Sequence, residues 1–288
     1  MNVQEMMHTD VVTVSPETSL AQAQQRMRDY RIRHLPVVSG QDRLVGIITD
    51  RDLRNALPSQ ATSLHTGEIN YQLDTIPVET CMTRDVVVMR PQDPMIDGAL
   101  QLLEGAFGCL PVVEQDQLVG IITEIDLLRG FLAAAAPAGE LMQVQDYMHA
   151  EPYTMMPNDL VSIAYERMQE AHIRHLPVVS AGRKLVGILT DRDIRLAGAS
   201  TAPHLATHEL VHLLERMTVN SIMTTNVYTV HRHTAAADAG QLFIDHRFIC
   251  LPVVDADDML QGIITVTDLL RAYVAQHRRT TSTTPSEA

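Results

Sequence analysis

Tryptophan is absent from the 288 residues, and seven tyrosines with four phenylalanines bring aromatics to only 4%. A core without large rings has to be assembled from Val, Ile, Leu, Met and Ala. That suits many short, tightly packed elements better than one large pocket. Cysteine is also scarce. Cys81, Cys109 and Cys250 are too few for a disulfide framework and none stands in a CxxC pair, so redox and zinc-knuckle chemistry find no support and the three read as small core residues. Positive charge is in deficit, 22 Lys and Arg against 35 Asp and Glu, for a formal net charge of −13. That balance argues against a protein held to duplex nucleic acid by phosphate contacts. Long hydrophobic runs are missing as well. The longest, Phe131 to Ala138, is Ala-rich, is interrupted by Pro137 and falls far short of the roughly 20 residues that cross a bilayer. The opening MNVQEMMHTD has neither the basic start nor the apolar centre of a signal peptide, so a cytoplasmic chain with no membrane partner is expected.

What the sequence does contain is repetition. Leu35-Pro36-Val37-Val38 returns at Leu110–Val113, Leu176–Val179 and Leu251–Val254. Each copy is followed by a Gly-apolar-apolar-Thr-x-x-Asp run: Gly46–Asp52, Gly120–Asp126, Gly187–Asp193 and Gly262–Asp268. A longer period overlies the first. RIRHLPVV at Arg31–Val38 matches HIRHLPVV at His172–Val179, and CLPVV at Cys109 matches CLPVV at Cys250. Copies one and three share TDRD, whereas two and four read TEID and TVTD, as though a pair of repeats had been duplicated whole.

Within a copy, Asp10–Val14 is a β-branched run, Ser15-Pro16 reads as an N-cap with Pro in the first turn, and Leu20, Ala23, Met27 and Tyr30 share one helical face. Leu35–Val38 and Leu44–Ile48 then form a hairpin around Ser39-Gly40-Gln41-Asp42, and a second helix starts at Thr49. The unit is β-α-β-β-α. At roughly 50 residues it is marginal alone, so two should pack together. Pro58–Thr80 and Ser200–Ser221 align as equivalent linkers with some helix around Glu68-Ile69 and Glu209-Leu210, and Gly130–Gln145, with Pro137 and Gly139, joins the halves.

The fourfold Leu-Pro-Val-Val and Gly-x-x-Thr-x-x-Asp pattern resembles the CBS domain, named after cystathionine β-synthase, over residues 1 to about 276. The resemblance implies an α/β (α+β) fold of four tandem repeats, 1–57, 81–130, 147–198 and 221–276, paired into two Bateman modules that can close into a flat disc. Residues 58–80 and 199–220 would be linkers, 131–146 the joint between modules and 277–288 a disordered tail. The plan is similar to that of the γ subunit of AMP-activated protein kinase. By this likeness the chain is a non-catalytic sensor that needs no cofactor. It would bind AMP, ADP, ATP or a related adenosyl ligand between paired repeats, respond to energy state, and act on a regulated protein whose identity the residues do not disclose. A homodimer is compatible with it.

Two readings of Thr-x-x-Asp stand side by side. At a helix start it has the spacing of a capping box, in which the hydroxyl takes the third amide and the carboxylate returns to the cap. The third position of that box favours Glu or Gln, however, and all four copies carry Asp, which can also accept the hydroxyls of a ribose while Thr and nearby amides hold the sugar edge and phosphate. Arg forks suit phosphate, and Arg31, Arg33 and His34 precede the first Leu-Pro-Val-Val as Arg174 and His175 precede the third. The resemblance implies that Thr123 and Asp126 work with Thr13, Arg33 and His34, and that Thr265 and Asp268 work with Thr154, Arg174 and His175. The other two clefts, with Thr49 and Asp52 and with Thr190 and Asp193, would face the less basic GAFGC and HRFIC segments, with Arg51 and Arg192 reaching phosphates near the centre of a disc. Leu-Pro-Val-Val itself reads as core, its Pro marking a strand edge, and the Gly of each run as a close approach between strand and helix.

One motif points elsewhere. His208-Glu209-Leu210-Val211-His212, with His204 one turn earlier, fits the HExxH of zinc peptidases. It lies in a linker between repeats without the context of a catalytic domain, and Gly67–Tyr71 in the equivalent linker lacks both histidines, so an ordinary linker helix is expected and no metal. No nucleophile with a base at recognisable spacing occurs. The competing readings are a ligand-binding regulator, a scaffold that binds nothing small, and a metal-binding protein through this segment.

Overall fold

The computed structural model describes residues 1–56, 73–105, 107–135, 142–201 and 214–282. The chain divides into two compact units, Met1–Ala134 with the segment from Val274 onward, and Ala135–Tyr273. Repeats one and two fall in the first and repeats three and four in the second. The segments around Glu68-Ile69, Glu209-Leu210 and Pro137-Gly139 lie outside the described residues, as does the HExxH segment with His204.

Among the described residues the main α-helices are α1 (Leu20–Asp29), α2 (Asp50–Asn55), α3 (Met95–Gly105), α4 (Glu124–Ala135), α5 (Val161–Glu170), α6 (Asp191–Thr201), α7 (Ala236–His246) and α8 (Val266–Ser282). In α1 the expected face holds at Leu20, Ala23 and Met27, which are buried, but Tyr30 is the C-cap and stands 61% exposed. The N-cap is also displaced from the sequence expectation. Ser15 opens a turn closed on the Thr18 hydroxyl, and Ser19 caps the helix by accepting from the Gln22 amide. The cause is tertiary. Leu20 N donates to Ile76 O and Val78 N to Thr18 O, so the residues just before α1 are held extended by the lead-in to repeat two. The same exchange joins Met95 N to Met1 O, Val161 N to Met217 O and Ala236 N to Met142 O. Each repeat therefore supplies acceptors for orphan amides at the first helix of its neighbour. At the other end, α8 continues through the polar residues after His277 to Ser282, since a packed stem nucleates helix that a polar sequence can propagate.

Four hairpins form the sheets: β1 (His34–Ser39) with β2 (Arg43–Thr49), β3 (Cys109–Glu114) with β4 (Gln117–Thr123), β5 (His175–Val179) with β6 (Leu185–Thr190), and β8 (Cys250–Val254) with β9 (Leu260–Thr265), flanked by β7 (Val230–His231). In the first unit the strands run β1-β2-β4-β3, joined by Arg43 opposite Gln117. The run Asp10–Val14, expected as a full strand, contributes only a bridge from Val14 to Val37, and Met89 and Met155 do likewise. Proline accounts for this. Pro36 gives its carbonyl to Val14 N at 3.1 Å, but on that same side it has no N–H to return.

Leu-Pro-Val-Val is core, as expected. Leu35, Val37, Val112, Leu176, Val178 and Val253 are wholly buried, and Leu110 and Leu251 nearly so. Each such Leu or Val contributes about 1.5–3 kcal/mol by leaving water. Cys109 and Cys250, opposite Thr123 and Thr265, are buried too. Burial, reinforced by the nearby Glu124 carboxylate, pushes the Cys109 thiol up to about 12. Burial and Asp268 push Cys250 up likewise, while half-buried Cys81 is raised by desolvation and then by Asp52. Because the thiolate is the nucleophile, iodoacetamide at pH 8 should modify Cys81 first and leave Cys109 and Cys250 protected until the chain unfolds. Peptide mass spectrometry on a time course checks this, and equal rates at the three sites would contradict it. The sign for stability is equally fixed. A folded thiol raised above its unfolded value keeps its proton longer, so the contribution is full below the ordinary thiol range and is lost as pH climbs toward about 12.

Candidate functional site

Each Gly-x-x-Thr-x-x-Asp run folds as the end of a strand and the start of a helix. Thr49, Thr123, Thr190 and Thr265 close β2, β4, β6 and β9, and Asp52, Asp126, Asp193 and Asp268 lie in the first turns of α2, α4, α6 and α8. In all four, Oδ2 of the Asp accepts from the Thr amide at 2.8–3.0 Å and from the Thr hydroxyl at 2.6 Å. The cap geometry is thus made with Asp, whose shorter reach is met by the hydroxyl as a second donor. It engages one carboxylate oxygen and turns the other outward from the cap.

That second oxygen separates the four sites into two kinds. Asp126, whose side chain is 2% exposed, places Oδ1 at 3.0 Å from His8 Nε2 and 3.3 Å from Arg129 Nη1. Asp268, at 7%, places Oδ1 at 3.2 Å from His149 Nε2 and 4.0 Å from Arg271 Nη1. Among the described residues, the hydrogen bonds to the carboxylates of Asp52 and Asp193 come from Thr49 and Thr190 alone. Both aspartates are only half-buried. The residues three places further on are Asn55 and Leu196, where the other two repeats have Arg129 and Arg271.

How the histidines arrive also corrects the reading of the glycines. The close approach at each Gly is between its strand and the opening segment of the partner repeat, not between strand and helix. A Cβ on Gly120 would lie 2.7 Å from Met7 Sδ and 3.0 Å from His8 O; on Gly46, 2.7 Å from Met82 Sδ and 2.9 Å from Thr83 O. Gly187 meets Met223 and Thr224 in the same way, and Gly262 meets Met148 and His149. None of these four glycines has positive φ, so space alone requires them. Backbone pairs seal the approach: His8 with Ile121, Thr83 with Ile47, His149 with Ile263 and Thr224 with Ile188. The signal that could have found these contacts is the fourfold Met-His or Met-Thr step at Met7, Met82, Met148 and Met223.

The other expected site residues are placed as follows. His34, at the start of β1, lies against repeat two, where a Cβ on Gly108 would come 2.8 Å from its Cε1. Thr13 and Thr154 are half-buried just before the Val14 and Met155 bridges, their carbonyls held by Arg26 and Arg167 of the following helices. Arg33 and Arg174 have exposed side chains, and their carbonyls accept from Asp50 N and Asp191 N. His175 opens β5 opposite Thr190. Among the described residues, the hydrogen bonds to the Asp126 carboxylate come from Thr123, His8 and Arg129. Arg31, which follows α1, has a left-handed backbone with φ 55°. Arg51 and Arg192 are exposed on the first turns of α2 and α6. Among the described residues no three His, Cys, Asp or Glu gather as for a metal, and no helix is long and apolar enough to cross a membrane.

Comparison with known proteins agrees with this geometry. The family profile described as the CBS domain matches residues 3–59, 78–133, 144–200 and 219–275. The protein MJ1225 of Methanocaldococcus jannaschii is 30% identical over 272 residues, covering 91% of this chain and 95% of that one. Its crystal structure, described as that of a proposed archaeal homologue of γ-AMPK, superposes with a TM-score of 0.76 at 26% identity over 95% of this chain and 100% of that one. A conserved protein from Pyrococcus horikoshii shares the fold, with a TM-score of 0.66 at 21% identity over 95% of this chain and 100% of its own. The inosine-5'-monophosphate dehydrogenase of M. jannaschii is 30% identical over 293 residues, which cover 94% of this chain and 53% of the enzyme. With four matched copies, each contributing one Thr-x-x-Asp cap, the chain belongs to the CBS domain family.

Proposed function

We propose that the chain is a non-catalytic regulator that binds adenine nucleotides, AMP, ADP or ATP, at its Thr-x-x-Asp sites. The observation that carries this reading is the cap itself. A carboxylate fixed by one oxygen presents the other at the positive end of a helix, where ribose hydroxyls and a phosphate can be held together. Thr123 with Asp126 and Thr265 with Asp268 take ribose in two clefts, and Thr49 with Asp52 and Thr190 with Asp193 in the others. Exposed Arg33 and Arg174, with His34 and His175 beside them, supply charge for phosphate, and Arg51 and Arg192 add to it. The likeness to a proposed γ-AMPK homologue supports the regulatory role. The regulated protein is a separate partner in the cytoplasm.

Differential melting with AMP, ADP, ATP, S-adenosylmethionine and adenosine tests the reading. A nucleotide at a hundred times its dissociation constant should stabilise the fold by roughly 2.7 kcal/mol through mass action. Adenosine should do less at the same concentration. Equal shifts from adenosine and ATP would remove the phosphate role of the arginines and histidines, and no shift from any compound would favour a scaffold.

A further inference from the structure

The two carboxylates of each unit are unequal, and the sequence encodes the inequality. The residue brought over each Asp by the partner repeat is His8 over Asp126 and His149 over Asp268, while the corresponding residues paired with the strands leading to Asp52 and Asp193 are Thr83 and Thr224. The order along the chain is His, Thr, His, Thr. Arg129 and Arg271 follow the same alternation. A carboxylate oxygen has two lone pairs. At Asp126 the oxygen not used by the cap already faces two donors, so ribose hydroxyls could reach it only by displacing them. Both histidines are suited to displacement, since their side chains are 59% and 64% exposed and can turn out to water while the carboxylates beneath stay buried.

We infer that His8 and His149 are specificity-determining residues that stand in for the ligand's hydroxyls, weakening nucleotide binding in the Asp126 and Asp268 clefts and leaving those of Asp52 and Asp193 to fill first. The inference rests on the ribose reading of the carboxylates and reverses the order of occupancy that the neighbouring basic residues suggest. A plain structural clamp between repeats would use the same contacts, but its loss would lower stability without raising affinity.

The test is titration calorimetry with AMP on the full chain and on His8→Thr/His149→Thr, which installs the residue found at Thr83 and Thr224. The wild type should bind in a tighter and a weaker class. The variant should tighten the weaker class roughly three- to tenfold, up to about 1.4 kcal/mol, and leave the tighter class unchanged. The reciprocal Thr83→His/Thr224→His should weaken the tighter class, which keeps the question decidable if the first variant folds poorly. An unchanged or weakened second class in the His→Thr variant, or an unchanged first class in the reciprocal one, would overturn the gate. Asp52→Asn/Asp193→Asn separates this from the underlying reading. If the tighter class survives that change, the ribose assignment fails; if it is lost while the His→Thr variant binds as wild type, the gate alone fails.

Discussion

Gly262→Ala is expected to lower stability by about 2–3 kcal/mol, the cost of forcing atoms into a packed contact. The new Cβ would stand 2.7 Å from the carbonyl oxygen of His149 and 2.9 Å from Met148 Sδ. The sulfur can move, being the far end of a flexible side chain. The carbonyl cannot do so cheaply, because His149 and Ile263 exchange both backbone hydrogen bonds, at 2.9 and 3.0 Å. Relief of the clash breaks the seam between repeats three and four and carries His149 away from Asp268. Gly182→Ala is the control, since nothing lies within 4 Å of its Cβ and its φ is not positive, so the change should stay within about 0.5 kcal/mol. Urea titration of the two variants side by side measures the difference. If Gly262→Ala were as harmless as Gly182→Ala, the close approach of backbone to backbone would not be what requires glycine there.

Asparagine in place of aspartate should give opposite balances of stability and affinity at the two kinds of site. Asp126 is buried with donors on both oxygens: the Thr123 amide and hydroxyl on one, His8 and Arg129 on the other. Whichever way the side-chain amide introduced by Asp126→Asn turns, its NH₂ group meets donors, and the cost should be on the order of 2–4 kcal/mol. Asp52→Asn can keep its carbonyl on the Thr49 donors and turn its NH₂ outward, so the stability cost should stay near ~1 kcal/mol. Nucleotide affinity should still fall at least tenfold at Asp52, because charge-assisted bonds to the ribose are worth on the order of 1.5–3 kcal/mol each. Thermal melting and calorimetry on the same samples check both halves. Unchanged affinity in a folded Asp52→Asn variant would return these residues to capping alone.

What the sequence disclosed was the part that repeats locally. Leu-Pro-Val-Val hairpins, the helix begun at Thr49 and the cap at Asp52 all depend on neighbours a few residues away, and each lies where the pattern puts it. The parts that stayed hidden are those made between repeats. Ser15-Pro16 has the local form of a helix start, but the pairing of Thr18 and Leu20 with Ile76 and Val78 delays the helix to Ser19. The His8 contact to Asp126 spans 118 positions, and nothing near either residue announces the other. The signal for it was the step shared by Met7-His8 and Met148-His149, which only comparison of the repeat openings brings out. The charge of Arg31 is legible in the sequence, whereas its left-handed backbone after α1 is not.

A crystal structure of the protein grown with AMP would decide whether the caps are binding sites. The expected result is ribose hydroxyls at about 2.7–3.0 Å from the outer oxygen of Asp52 and Asp193, with phosphate toward basic side chains and His8 and His149 still on Asp126 and Asp268. AMP bound away from every Thr-x-x-Asp carboxylate, or no AMP bound at saturating concentration, would contradict the ribose reading.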